Sequence, residues 1–79
     1  MPALEIFLIA MRLQTQLDQA RATAKPASWE AAVTVCSSNH YMIVSGANDL
    51  AIGGIVSKYG IRRTIDFTYC VLDRLAASA

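Results

Sequence analysis

Charged residues are scarce in this 79-residue chain, at 16% of the sequence against about 25% in ordinary globular domains. The formal net charge is only +1. A chain with so little excess positive charge lacks the overall basic field that drives nonspecific binding to nucleic acids. Any contact with a nucleic acid would therefore have to be local.

Histidine and cysteine are nearly absent. The chain has one histidine, His40, and two cysteines, Cys36 and Cys70, which lie far apart with no CxxC motif. Because a zinc site usually needs four Cys or His ligands at tighter spacing, we expect no metal site. In a reducing cytosol the two cysteines are predicted to be free thiols, and a structural disulfide, within or between chains, is the alternative.

Catalytic motifs are also missing. The sequence contains no GxSxG, HExxH, P-loop or dinucleotide-binding motif, and its six acidic residues are scattered. Asp66 and Asp73 are seven residues apart, and the sequence offers no close pair of carboxylates of the kind that acid–base catalysis uses. His40 is predicted to lie in a turn rather than to act as a general base. We therefore expect no enzymatic activity, no cofactor and no small-molecule substrate.

Long hydrophobic runs do not occur. The longest is "IFLIAM" at residues 6–11, whereas a membrane span needs roughly 20 apolar residues. The N-terminus lacks the basic start and the small-residue cleavage site of a signal peptide. These features predict a cytoplasmic protein without a membrane segment.

What the sequence has is apolar residues, at 54%, in one small domain covering residues 1–79. Residues 3–24 and 62–77 show the periodicity of helices. The predicted core stripe of the first helix is Ile6, Ala10, Leu13, Leu17, Ala20 and Ala24. That of the last helix is Ile65, Thr68, Tyr69, Leu72, Leu75 and Ala76.

The middle of the chain is ambiguous. "VTVC" and "YMIV", within residues 29–46, are β-rich runs separated by the turn-like "SSNH", which favours a hairpin. The alternative is a helix capped by Ser28, with Trp29, Val33, Cys36, His40 and Ile43 on one face. "SGAND" at 45–49 is predicted to be a turn, and residues 50–60 fit either a short helix or a third strand. The predicted fold is α+β, two long helices on a small antiparallel sheet, and an all-α bundle is the alternative.

Both helices have apolar residues outside their predicted core stripes. These are Leu4, Leu8 and Met11 on the first helix and Phe67 and Val71 on the last. So small a domain cannot cover both sets, and exposed apolar patches usually mark interfaces. Arg63 and Arg74, beside Phe67 on the last helix, supply the mixture of arginine and aromatic side chains that is typical of binding hot spots. We predict that the five apolar residues and Arg74 form a partner or dimer interface.

"KYGIRR" at residues 58–63 groups three cations, Lys58, Arg62 and Arg63. If they end one helix and begin the next, the segment has the outline of a helix-turn-helix with Gly60 in the turn. A three-strand reading would instead give the order α-β-β-β-α, which also occurs in double-stranded RNA-binding domains. The other interpretations are a solvated turn and a patch that meets an acidic protein surface.

These features together predict a non-enzymatic protein-binding module that acts stoichiometrically on a larger partner, as a homodimer. Proteins of this size without catalytic groups are often regulators, antitoxins or phage-encoded inhibitors of host machinery, including anti-CRISPR proteins. That inference rests on how common such proteins are among chains of this size, and not on any motif in this sequence. The alternative is a DNA- or RNA-binding regulator that uses the basic turn.

Overall fold

Four α-helices form the fold in the computed structural model, which describes residues 3–44 and 50–78. They are α1 (Ala3–Thr23), α2 (Pro26–Asn39), α3 (Ile52–Tyr59) and α4 (Ile61–Ser78). The described residues contain no strand, so the α+β prediction is wrong and the alternative, an all-α bundle, is what forms. The predicted bounds of the first and last helices are confirmed to within one residue. The predicted turn at 45–49 lies outside the described residues.

The segment predicted as a hairpin is instead α2. Its buried residues are Trp29, Ala32, Val33 and Cys36, which recur at helical spacing. Helix propensities differ by at most about 0.7 kcal/mol for residues such as Val, Thr and Ser, whereas full burial of one large apolar side chain contributes about 1.5–3 kcal/mol. Burial of this face therefore outweighs the local preference for a strand. The helix begins at Pro26, which fits the first helical position, and not after a Ser28 cap.

α4 is the central helix, because it packs against each of the other three. Its fully buried residues are Thr64, Phe67, Thr68 and Val71. The two threonines are tolerated in the core because each hydroxyl donates a 2.8 Å hydrogen bond back along the helix. Thr64 donates to the carbonyl of Gly60, and Thr68 donates to that of Thr64.

The start of α3 is held by a side chain of α1. Gln14 accepts a hydrogen bond from the backbone N–H of Ile52 at 2.9 Å and donates one to the carbonyl of Leu50 at 3.0 Å. The residue before the helix, Ala51, provides no side-chain cap. Since the first N–H groups of a helix have no partner within it, Gln14 satisfies one of them from another part of the chain.

Gly60 alone separates α3 from α4. Its φ of 87° and ψ of 161° lie in a region of backbone conformation that essentially only glycine adopts. Its N–H donates to the carbonyl of Val56 at 2.8 Å, which ends α3, and its carbonyl accepts from the N–H of Thr64 at 3.2 Å, which begins α4. Of the two alternatives left open for residues 50–60, the short helix is thus what forms, with Gly60 as a one-residue connection to α4.

A disulfide joins α2 to α4. Cys36 and Cys70 are bonded, with their Cα atoms 5.8 Å apart. The prediction of free thiols is therefore wrong, and the alternative of a disulfide within the chain is correct. Sequence spacing could not show this, because only the packing of α2 on α4 brings the two cysteines within bonding distance.

Candidate functional site

The first two turns of α1 expose an apolar stripe on the side away from Leu13 and Leu17. Its four members recur at the spacing of one helical face. Their exposed fractions are 67% for Leu4, 58% for Phe7, 51% for Leu8 and 52% for Met11. The predicted exposure of Leu4, Leu8 and Met11 is confirmed, and Phe7 joins them. We call these four residues the α1 stripe; that it binds a partner remains a prediction.

Phe67 and Val71 do not form a second exposed face. Both are 0% exposed and lie in the centre of the core, so their assignment to an interface is wrong. The buried face of α4 is rotated by about one residue, roughly 100°, from the predicted core stripe. Tyr69 of that predicted stripe is half exposed, whereas Thr64, outside it, is fully buried.

Arg74 is exposed on α4, but it has no exposed Phe67 beside it. Instead it lines a shallow groove between α2 and α4, together with small residues that include Ala27 and Ala31. The predicted hot spot of arginine and phenylalanine is therefore not assembled at this position.

The structure divides the predicted basic patch. Lys58 lies in the last turn of α3, and Arg62 and Arg63 lie in the first turn of α4. Arg63 donates hydrogen bonds from Nη2 to the carbonyls of His40, at 2.6 Å, and Tyr41, at 3.2 Å. Arg62 is exposed and makes no hydrogen bond among residues 3–44 and 50–78. Arg63 therefore supports the end of α2, whereas Arg62 is available at the surface.

Tyr59 is the residue on which the basic turn converges. The guanidinium carbon of Arg63 lies 4.8 Å from the ring centroid and Nζ of Lys58 lies 5.3 Å from it, both within cation–π range. The Tyr59 hydroxyl accepts a 2.7 Å hydrogen bond from the N–H of Ile43. This bond is the main cause that lowers the pKa of Tyr59 below its ordinary value; partial burial opposes it, and Lys58 and then Arg63 assist.

α2 ends in a Schellman motif whose left-handed residue is Tyr41. The N–H of Tyr41 donates to the carbonyl of Ser38 at 3.2 Å, and the N–H of Met42 donates to that of Ser37 at 2.9 Å. The φ of Tyr41 is 53°. Glycine usually occupies this position, because a β-carbon is disfavoured there.

The side chains that follow α2 are the most exposed large apolar groups described. Tyr41 is 88% exposed and Ile43 is 79% exposed. They adjoin the basic turn through the bonds of Arg63 and Tyr59 to their backbone. We call Tyr41 and Ile43, with Lys58 and Arg63 beside them, the 41–43 corner. The sequence analysis missed it; the only available signal was a tyrosine where a helix C-terminus favours glycine.

His40 is placed as a structural residue. Its Nδ1 lies 2.8 Å from the carbonyl oxygen of Cys36, so this nitrogen carries the proton and donates. Within the described residues no three or more His, Cys, Asp or Glu side chains are grouped so that they could hold a metal ion. No helix in the described part of the chain is both long enough and apolar enough to cross a membrane.

Comparisons with protein families, with curated proteins and with solved structures found no match to this chain.

Proposed function

We propose that this chain is a non-enzymatic protein-binding module that acts stoichiometrically, as an inhibitor or regulator of a larger partner protein, and acts as a homodimer. The observation that carries the proposal is that six of the seven exposed large apolar side chains among the described residues fall in two groups. They are the four residues of the α1 stripe together with Tyr41 and Ile43. Contiguous apolar patches on a small domain usually mark interfaces.

The two groups suit different roles. The α1 stripe is purely apolar and lies on one regular helix, which suits helix-to-helix packing. The 41–43 corner combines tyrosine, an aliphatic side chain and cations, the composition of binding hot spots. In the proposal the stripe binds the second copy and the corner binds the larger partner, on a surface that presents carboxylates to Lys58.

The backbone at Tyr41 supports the assignment of the corner. A left-handed conformation costs a residue other than glycine roughly 1–2 kcal/mol, and an 88% exposed side chain recovers little of this cost by packing. Strained residues that persist without a structural benefit are concentrated at functional sites. The tyrosine ring is therefore assigned to partner binding.

The proposal extends to the class expected from size, that of small phage-encoded inhibitors of host machinery, including anti-CRISPR proteins, which would place the chain in the cytoplasm. The disulfide weighs against that location, because disulfides persist mainly in oxidising compartments. To test whether the disulfide persists in the cytoplasm, free thiols are rapidly blocked with a label and the cells are then fractionated. If the cysteines of the protein in the cytoplasmic fraction carry no label, the disulfide survives there.

Nucleic-acid binding through the basic turn is the second candidate, and two observations weaken it. Arg63 is already engaged with backbone carbonyls of the chain. Asp66 and Asp73 share the exposed face of α4 with Arg62, and carboxylates that face phosphates are unfavourable. Titration with random duplex DNA and RNA at about 50 mM salt tests this candidate, since binding to phosphates weakens steeply as salt rises.

The experiment that tests the proposal is capture of partners from a native host extract by the tagged wild type and by Tyr41→Gly. Because glycine relieves the left-handed strain, the variant should be more stable by about 1 kcal/mol. Loss of capture could then not be attributed to unfolding. Tyr69→Ala, at the half-exposed tyrosine of α4, is the matched control.

We expect the wild type and the control to retain one protein in stoichiometric amount and Tyr41→Gly to lose it. Retention of that protein by Tyr41→Gly would overturn the role of the corner. Submicromolar, salt-sensitive binding of random duplexes without any protein partner would favour the second candidate instead.

A further inference from the structure

The α1 stripe has a spacing that reads the same in both directions. Its members Leu4, Phe7, Leu8 and Met11 are separated by three, one and three residues. The centre of this pattern lies between Phe7 and Leu8. A surface with this symmetry can match a reversed copy of itself, which is the requirement for a two-fold interface.

Placing two α1 helices antiparallel, with a two-fold axis between residues 7 and 8, pairs every member of the stripe. Leu4 of one copy then lies opposite Met11 of the other, and Phe7 lies opposite Leu8. Each pair occurs twice by symmetry, so no apolar residue of the stripe remains without an apolar partner.

The charges beside the stripe fit the same arrangement. Glu5 and Arg12 are exposed and, at about 100° per residue, lie along the same edge of the stripe. A two-fold axis perpendicular to the helices keeps this edge on the same side in both copies. Glu5 of one copy therefore faces Arg12 of the other, offset by two residues, or about 3 Å along the helix.

A parallel pair would lack this match. In a parallel pair the two-fold axis runs along the helices. The edge of one copy that carries Glu5 and Arg12 therefore meets the opposite edge of the other copy. That edge carries Ala3, Ala10 and Gln14, and Gln14 is already bonded to the start of α3. Charge complementarity therefore selects the antiparallel pair.

We propose that the occupant of the α1 stripe is a second copy of this chain, held in an antiparallel two-fold pair by the stripe and by two Glu5–Arg12 ion pairs. The inference rests on the dimer of the proposed function and uses a different surface from the partner-binding corner. The four half-exposed side chains offer on the order of 400 Å² of apolar surface per copy. With the flanking charges, the pair approaches the lower limit of about 1,000 Å² for a specific interface. The dimer is accordingly weak, with Kd on the order of micromolar.

The test is a charge exchange, measured by sedimentation velocity on the purified full chain from about 1 to 300 µM. Glu5→Arg places two arginines on the shared edge, and Arg12→Glu places two glutamates there. Each single variant should dimerise at least about tenfold more weakly than wild type, because like charges then face each other. An equimolar mixture should regain wild-type affinity, because opposite charges meet in the mixed pair.

Arg21→Glu, an exposed change later on the same helix, is the control and should leave association unchanged. A wild type that stays monomeric throughout, single variants that dimerise normally, or a mixture that is not restored would each overturn the inference. Circular dichroism of every variant checks that the bundle remains folded.

Cross-linking reports the direction of the helices independently. In the antiparallel pair, a Leu4→Cys chain mixed with a Met11→Cys chain should form a mixed disulfide on mild oxidation, whereas Leu4→Cys alone should not, because its two sulfurs would lie too far apart. Efficient linking of Leu4→Cys to itself would overturn the arrangement. If Leu8→Glu abolishes partner capture but leaves the oligomeric state unchanged, the stripe binds the partner; the inference then fails while the proposed protein-binding function stands.

Discussion

Arg63 stacks on Tyr59, with its guanidinium carbon 4.8 Å from the ring centroid. The same guanidinium bonds the carbonyls of His40 and Tyr41, and the Tyr59 hydroxyl bonds the N–H of Ile43. Two side chains from the α3–α4 junction thus hold three of the four positions that follow α2, residues 40, 41 and 43. Arg63 and Tyr59 therefore fix one side of the backbone that carries the exposed side chains of the 41–43 corner.

Replacing Arg63 should loosen this attachment. We expect Arg63→Gln to lower the free energy of unfolding by about 1–2 kcal/mol, through loss of the cation–π contact and of hydrogen bonds from a charged donor. Arg62→Gln, one residue earlier, should change it by less than about 0.5 kcal/mol, because Arg62 is exposed and has no bonded partner among the described residues. Urea unfolding monitored by circular dichroism measures both. Equal effects of the two changes would contradict the structural role of Arg63.

This contrast shows how far the sequence could predict the basic turn. The composition of "KYGIRR" indicates a cluster of cations, but the sequence leaves both a helix and a strand open for the residues before Gly60. The carbonyls that Arg63 bonds belong to His40 and Tyr41, 23 and 22 residues away. No local pattern reveals such a contact, because it exists only once α2 and α4 have packed together.

The two phenylalanines of the chain form a matched pair in opposite environments. Phe67 is fully buried and Phe7 is 58% exposed. We expect Phe67→Ala to lower the free energy of unfolding by about 3–5 kcal/mol, by removing buried contacts and leaving a cavity. At a concentration too low for dimers, Phe7→Ala should stay within about 0.5 kcal/mol of wild type. Chemical denaturation followed by Trp29 fluorescence at about 0.05 µM, well below the proposed micromolar Kd, compares them, and a stable Phe67→Ala would restore the assignment of Phe67 to an interface.

The misplacement of Phe67 in the sequence analysis has a physical cause. A helix at the edge of a bundle buries one stripe, and the predicted stripe of the last helix assumed this situation. α4 instead contacts three helices, and its fully buried face is rotated from the predicted stripe and includes Thr64 and Thr68, whose hydroxyls bond back to the helix. α1 is peripheral, and there the same periodicity correctly separates the buried Leu13 and Leu17 from the exposed Leu4, Leu8 and Met11.

Two glycines, Gly53 in the first turn of α3 and Gly60 at the α3–α4 junction, should change stability with opposite signs when replaced by alanine. Neither would place its new β-carbon within 4 Å of a neighbouring atom, so the difference lies in the backbone. Gly60→Ala should destabilise by about 1–3 kcal/mol, because its φ of 87° is unfavourable for alanine. Gly53→Ala, within α3, should stabilise by about 0.5–1 kcal/mol, because alanine favours helix. Thermal unfolding reports the signs directly, and a neutral Gly60→Ala would contradict the one-residue connection.

The last prediction concerns how much the disulfide contributes to stability. Cys36 and Cys70 close a segment of 34 residues, and the reduction in entropy of the unfolded chain should stabilise the fold by about 3–4 kcal/mol. Small domains have unfolding free energies of about 5–15 kcal/mol, so this is a large fraction. We expect reduction to lower the urea midpoint strongly, and Cys36→Ala/Cys70→Ala to behave like the reduced wild type and to be insensitive to reductant. Mass spectrometry after alkylation in denaturant without reductant should find no labelled cysteine. Two labels per chain would show that the thiols are free, and the bundle would then depend on the buried face of α2 alone to hold that helix against α4.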